Sequence, residues 1–188
     1  MLIVEYDNSL SEKYENFRHT TFSEHNDSLK ESKINPNNFD GKIWCALHKD
    51  IIISSMALEN DHYTNTENIA RICRYHIIKK YRHGRYGFKM LDKIYEYAKT
   101  RYKLIYWTHD IENFALNDLY QHKRVYYDNK DNSYFHRKPF TLLKLNKEFL
   151  FRAGDMYQYV YYIKFDSEFE WKPKTSVYWI HHNGDLLR

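Results

Sequence analysis

The stretch Ile69-Ala-Arg-Ile-Cys-Arg-Tyr-His-Ile-Ile-Lys-Lys-Tyr-Arg-His-Gly-Arg-Tyr-Gly-Phe-Lys-Met-Leu91 decides how this chain is read. Its first half is strand-like and closes on an apolar run. A sharp basic turn follows, Arg82-His83-Gly84-Arg85-Tyr86-Gly87. The second half opens a helix, with Gly87, Leu91, Ile94, Tyr95 and Ala98 at helical spacing. A strand, a glycine-containing turn and a helix in this order make a device with a defined chemistry. The free N–H groups of the turn and of the first helical turn converge on one spot, and the helix dipole makes that spot positive. Phosphate groups bind at such a place.

Working outward, residues 2–6 read as a first strand. Asn8-Ser9 caps a helix running to about Thr20, and residues 23–30 read as a second, polar helix. Pro36-Asn-Asn-Phe-Asp-Gly41 is a turn cluster. Residues 42–48 and 51–59 are strands joined by Lys49-Asp50, which predicts an antiparallel hairpin. A polar loop over 60–68 leads into the motif strand at 69–78, and the motif helix runs to about Thr100. Residues 103–108, Lys-Leu-Ile-Tyr-Trp-Thr, form a short apolar strand, so strand, helix and strand predict a right-handed parallel crossover. Residues 111–122 are amphipathic, with Phe114, Ala115, Leu116, Leu119 and Tyr120 recurring at helical spacing. Residues 140–145 and 157–165 read as strands, the second by its period-two alternation, and 177–180 as one more.

Composition sets bounds on function. The 188 residues suffice for one domain with a substantial core. A hydrophobic share of 43% argues against disorder, and only 5 Gly and 3 Pro leave no flexible linker. The net charge of +4 favours anionic ligands without demanding nucleic acid. Cys45 and Cys73 lie in strands with apolar neighbours and read as buried free thiols. Met1-Leu-Ile-Val4 is followed at once by Glu5, so no signal segment is legible, and no apolar run reaches the length of a membrane span. A cytoplasmic protein with no membrane partner is expected. The Lys, Asn, Ile and Tyr bias points to an AT-rich genome, a viral one among the options. No metal site is expected, because His181-His182 lacks a partner at ligand spacing and no Cys/His cluster exists. There is no Gly-x-Ser-x-Gly elbow and no Walker-type lysine loop.

The motif segment resembles the acyl-CoA-binding motif of the GNAT acyltransferase superfamily, Gln/Arg-x-x-Gly-x-Gly/Ala after an apolar strand. Arg82 fills its first position and Gly87 its last. Arg85 stands at the middle glycine, with Gly84 one residue early, so a side chain sits where the family brings bare backbone near the pyrophosphate. Tyr81 before Arg82 is similar to the family's Tyr-Arg pair. The order of elements over residues 1–165 also resembles this family, whereas 166–188 is an addition packed on the same domain. The resemblance implies an α/β (α+β) fold: a mixed, mostly antiparallel sheet with a central splayed parallel strand pair and flanking helices. It implies acetyl-CoA as co-substrate and transfer of the acyl group to a primary amine.

The resemblance also implies roles for particular residues. Main-chain groups near Tyr75, His76 and Ile77 would pair with the pantetheine amides and polarise the thioester carbonyl. The amides of His83, Gly84, Arg85, Tyr86, Gly87 and Phe88 would hold the pyrophosphate, with Arg82, Arg85 and Lys89 adding charge. Asn113, Leu119 and Tyr120 match the family's Asn-x-x-Ala-x-x-Leu-Tyr element, whereas Leu116 replaces its Ala and Arg124-Val125 its later Gly-Phe pair. Tyr120 would protonate the departing thiolate, and Asn113 would contact the pantetheine arm or the strand ends.

The general base stays open among Glu59, His76, His109 and Asp110, or a chain of waters. A different class of function competes with this reading. Between Arg71 and Lys89 stand seven Lys/Arg and no acid, interleaved with Tyr75, Tyr81, Tyr86 and Phe88, a pattern that also suits nucleic acid. A non-catalytic CoA-binding module is a third option. The acceptor amine and the oligomeric state, a dimer included, are not legible.

Overall fold

The computed structural model of the chain describes residues 1–25, 36, 39–61, 66–82, 86–110, 141–142, 149–153, 156–171 and 179–181. In chain order these hold β1 (Leu2–Glu5), α1 (Ser11–His25), β2 (Gly41–His48), β3 (Ile51–Asn60), β4 (Ile69–Ile77), α2 (Tyr86–Ala98), β5 (Leu104–Asp110), β6 (Thr141–Leu142), β7 (Phe149–Ala153), β8 (Met156–Lys164) and β9 (Trp179–His181). Hydrogen bonding orders the strands β1-β2-β3-β4-β5-β8-β7-β9, with β6 beside β8. Among the described residues the registered pairs are antiparallel, except for one parallel pair, β4 with β5. The expected mixed, mostly antiparallel sheet is therefore present. The chain divides into two compact units: Met1–Glu59 with Ile72–Glu96, and Asn60–Arg71 with Tyr97–Arg188.

In the first unit, local chemistry starts α1. Asp7, not the expected Asn8-Ser9, is the N-cap, of a 3-10 turn over Asn8–Leu10 that leads into α1: its carboxylate accepts from the Ser9 hydroxyl and from the Ser9 N–H at 2.8 Å. Both bonds favour the anion and hold the Asp7 carboxyl below its ordinary pKa, the hydroxyl more strongly. Tyr14, Phe17 and Thr21 recur at helical spacing and are buried. The Thr21 hydroxyl donates to the Phe17 carbonyl at 3.1 Å, so the one polar member of that face is satisfied. The helix runs unbroken to His25, through the gap expected between Thr20 and Ser23. No Gly or Pro stands between Ser11 and His25 to stop it. Residues 26–30 of the second expected helix lie outside the described residues.

Tyr14 and Phe17 pack on Ile43, Cys45, Ile52, Ala57 and Ile78 as one apolar cluster. Burial in that cluster pushes the Cys45 thiol up to about 12. Cys73 is only half-buried, which corrects the expectation for that residue. Strands β2 and β3 pair from Gly41↔Glu59 to His48↔Ile51, as the hairpin reading requires. A β-carbon on Gly41 would stand 2.2 Å from the Leu58 carbonyl oxygen, so only glycine fits this close approach. At the other end Lys49 and Asp50 both have positive φ, 48° and 66°. That is the geometry a two-residue hairpin turn matching the strand twist demands, here made without the usual Asn or Gly. In α2, Met90 and Ile94 are fully buried, so its apolar seam runs through Met90, a residue the expected seam leaves out.

In the second unit, Ile69, Ala70 and Arg71 pair in parallel with Leu104, Ile105 and Tyr106. Strand β5 pairs with β8 along its length, from Leu104↔Lys164 to Asp110↔Gln158. Trp107 stacks on Tyr161 with ring centroids 6.1 Å apart, and Trp171 packs on Tyr106 at 5.1 Å. Strand β9 pairs with β7, so residues beyond 165 belong to the sheet. Strand β7 was not foreseen. Phe149-Leu-Phe-Arg-Ala lacks period-two alternation, yet Gly154-Asp155 between it and β8 is a hairpin signal.

The turn at Lys49-Asp50 yields a stability prediction. Lys49 occupies the left-handed region, which costs an ordinary side chain about 1 kcal/mol and asparagine less. Lys49→Asn should stabilise the protein by about 0.5–1 kcal/mol in urea unfolding. It leaves the Lys13–Asp50 ion pair in place. An unchanged midpoint would mean that the turn carries no strain.

Candidate active site

Strand β4 and its continuation into α2 build the site within the first unit. Arg74, in mid-strand, has a φ of 51°. A lone left-handed residue in a strand is the backbone signature of a bulge, which re-aims the side chains beyond it. The Arg74 guanidinium lies 4.4 Å from the Phe39 ring centroid, and that packing holds the kink. Beyond the kink the strand is tied to β3: the buried Ser54 hydroxyl donates to the His76 carbonyl at 2.9 Å, and the Ile78 N–H donates to the Ile53 carbonyl at 3.0 Å. Extended chain alternates its polar groups from edge to edge. With the His76 C=O and the Ile78 N–H both aimed at β3, alternation turns the Ile77 N–H and C=O toward the opposite edge. Of the three residues expected to offer main-chain groups to a pantetheine arm, His76 has its carbonyl engaged by Ser54.

The basic turn begins earlier than expected. A 3-10 turn over Lys79–Tyr81 follows β4 directly, with the Tyr81 N–H donating to Ile78 and the Arg82 N–H to Lys79. Those two amides are spent. His83, Gly84 and Arg85 lie outside the described residues. Helix α2 begins at Tyr86, and the N–H groups of its first turn have no partner one turn earlier in the helix. Tyr81 sits between the His48 and Tyr86 rings, at 5.8 and 6.1 Å, so it packs the start of α2 against the end of β2. Arg82 and Lys89 are exposed near the same helix start.

The feature that sequence reasoning missed is the contact between Tyr75 and Gly87. A β-carbon on Gly87 would lie 2.4 Å from the Tyr75 hydroxyl and 3.0 Å from its ring. The first thing a side chain at Gly87 meets is thus the phenol of Tyr75. Tyr75 is 42% exposed as a residue, and its hydroxyl reaches over the helix start. Partial burial raises the Tyr75 pKa, and the nearby Arg82 guanidinium partly offsets this. The phenol is therefore neutral, and a donor, at ordinary pH.

Among the acid and base candidates, Glu59 is 8% exposed near the end of β3, opposite Gly41. His76 is half-buried, and the alternation of the strand sends its side chain to the face opposite Tyr75. The backbones of His109 and Asp110 close β5. Asn113 and Tyr120 lie outside the described residues. Two of the seven cations between Arg71 and Lys89 are drawn into packing: Arg71 donates to the Thr108 hydroxyl at 3.4 Å, and Arg74 covers Phe39. They do not extend a continuous basic strip, which weakens the nucleic-acid alternative. No helix among the described residues is long and apolar enough to cross a membrane. No group of three or more His, Cys, Asp or Glu among them could hold a metal ion.

The profile of the acetyltransferase (GNAT) family matches residues 6–124, well over half of the chain and across the whole of this site. The chain belongs to the GNAT acetyltransferase family. Members of this family use acetyl-CoA as co-substrate. Solved GNAT structures share the fold at low identity. A GNAT acetyltransferase of Staphylococcus aureus Mu50 is 19% identical, with 88% of this chain and 99% of that one covered and a TM-score of 0.56. An aminoglycoside 6'-N-acetyltransferase complexed with coenzyme A is 13% identical, with 90% and 100% covered and a TM-score of 0.59. A proposed streptothricin acetyltransferase of Bacillus anthracis Ames, in complex with acetyl coenzyme A, is 19% identical over 74% and 73%, with a TM-score of 0.52. No curated protein matches the sequence.

The Tyr75–Gly87 contact makes a sign-changing prediction for this GNAT chain. Gly87→Ala should destabilise by about 1–2 kcal/mol, because the new methyl overlaps a phenol that must shift. In a Tyr75→Ala background the overlap is gone and the helix gains from losing glycine, so the same change should stabilise by about 0.5 kcal/mol. Urea unfolding of the four proteins checks both signs. Equal effects in the two backgrounds would refute the contact.

Proposed function

We propose that this chain transfers the acetyl group of acetyl-CoA to a primary amine, with residues 1–165 as the catalytic domain and 166–188 as an extension on it. The observation that carries the reading is the continuous run from the kinked β4 into the glycine-bearing first turn of α2, in a chain of the GNAT family. The first-turn amides of α2, together with Arg82, Arg85 and Lys89, bind the phosphates of the co-substrate. The outward main-chain groups of Ile77 align the pantetheine arm and hold the thioester beside the amine, which supplies much of the rate.

The neutral amine attacks the thioester carbon, a C–N bond forms, and charge develops on the carbonyl oxygen. A main-chain N–H of β4 stabilises that oxyanion. The C–S bond then breaks, and Tyr120 delivers its proton to the departing thiolate. The amine's surplus proton goes to a base, for which Glu59, His76, His109 and Asp110 are the candidates, directly or through water. Asn113 completes the pantetheine contacts.

Calorimetry against acetyl-CoA tests the reading. One equivalent should bind, and the affinity should fall as salt rises, because phosphate contacts carry part of it. An absence of binding at millimolar ligand would sink the proposal. Tyr120→Phe should leave that affinity within about twofold and lower turnover by roughly two to four orders of magnitude, the usual size of a proton-transfer contribution. Full turnover in the variant would make Tyr120 a packing residue.

A further inference from the structure

We propose that the Tyr75 hydroxyl donates a hydrogen bond directly to the diphosphate of coenzyme A, a side-chain contact that stands in for the family's missing middle glycine. This rests on the acetyl-CoA reading above and adds to it a residue whose expected part was only its main chain.

The geometry points there from three sides. The hydroxyl lies 2.4 Å from where a β-carbon of Gly87 would be, in the first turn of α2, whose free N–H groups attract phosphate. Gly87 therefore serves the phenol: its missing side chain is the space the hydroxyl occupies. Second, no described residue accepts the hydroxyl's proton, so the donor is available to a ligand. Third, Arg82, one turn of chain before the helix, is close enough to influence the phenol electrostatically, so a cation and a neutral donor lie near one helix start. An anion at that place meets dipole, cation and hydroxyl together.

The sequence gives the chemistry a reason. Where the family motif has a glycine that lets backbone amides approach the pyrophosphate, this chain has Arg85. A side chain in place of that glycine's hydrogen restricts such an approach. A phenol reaching in from β4 supplies a donor without requiring the backbone to come closer.

The test compares the wild type and Tyr75→Phe for binding of acetyl-CoA and of S-acetylpantetheine, which carries the thioester arm but no diphosphate. Tyr75→Phe keeps the ring, so its thermal midpoint should match the wild type. We expect its acetyl-CoA affinity to fall about tenfold or more, the size of a lost hydrogen bond to a charged group. Its S-acetylpantetheine affinity should stay within about twofold. Unchanged or tighter acetyl-CoA binding would overturn the inference and make the phenol a bystander or an obstruction. An equal loss for both ligands would also overturn it, because Tyr75 would then support the arm and not the diphosphate. If the wild type bound neither ligand, the acetyl-CoA reading itself would fall. If the wild type bound acetyl-CoA normally and only the Tyr75 comparison failed, that reading would stand without this contact.

Discussion

Backbone hydrogen bonding along β4 is the constraint on which the rest depends. A strand in the interior of a sheet must satisfy polar groups on both edges. Here the two halves do so differently. Ile69, Ala70 and Arg71 pair with β5, and the registered parallel pairing ends there. Arg74 then takes a left-handed conformation. Past it, the strand is secured on the β3 side by Ser54 and Ile53. A strand held firmly along one edge presents the groups of the other edge in a fixed geometry. Under the proposed function, those groups are the ones offered to the thioester arm. The cost of the kink falls on Arg74, whose guanidinium is held over Phe39.

The helix start shows how one departure from a family pattern is accommodated by its neighbours. In the GNAT motif, glycine brings main chain to phosphate. This chain keeps the last glycine and not the middle one. The last glycine is then filled from outside by a tyrosine from the adjoining strand. The pair couples strand and helix: a side chain on either residue alters the room for the other. Tyr81, wedged between His48 and Tyr86, ties the same helix start to β2. Two aromatic contacts thus place the positive end of α2, and neither is visible as a motif.

Much of the sheet was legible because its signals are local. Lys49-Asp50 between two apolar runs marks a hairpin, and period-two alternation marks β8. The strand–turn–helix at 69–98 combines period, charge and glycine in one place. Other elements escaped for stated physical reasons. The length of α1 depends on the absence of a stop signal, and the helix continues through Ser23, where a second helix was expected to begin. Strand β7, Phe-Leu-Phe-Arg-Ala, is short and lacks period-two alternation, so no period betrays it. The Tyr75–Gly87 contact joins residues on two elements, and the positive φ at Arg74 just before it is one that no propensity announces in an arginine. Glu59 and His76 were readable as chemically able residues, but their roles depend on an acceptor that sequence does not encode.

Hydrogen exchange at Ile77 and Ile78, followed residue by residue, tests the central claim most directly. The Ile78 amide is already bonded to Ile53, and strand alternation aims the Ile77 amide at the other edge. Saturating acetyl-CoA should slow exchange at Ile77 by about tenfold or more, as an outward amide gains a partner, and should leave Ile78 within about twofold. Protection of both alike would indicate general tightening, and protection of neither would mean that the co-substrate does not lie along β4; either result would contradict the account.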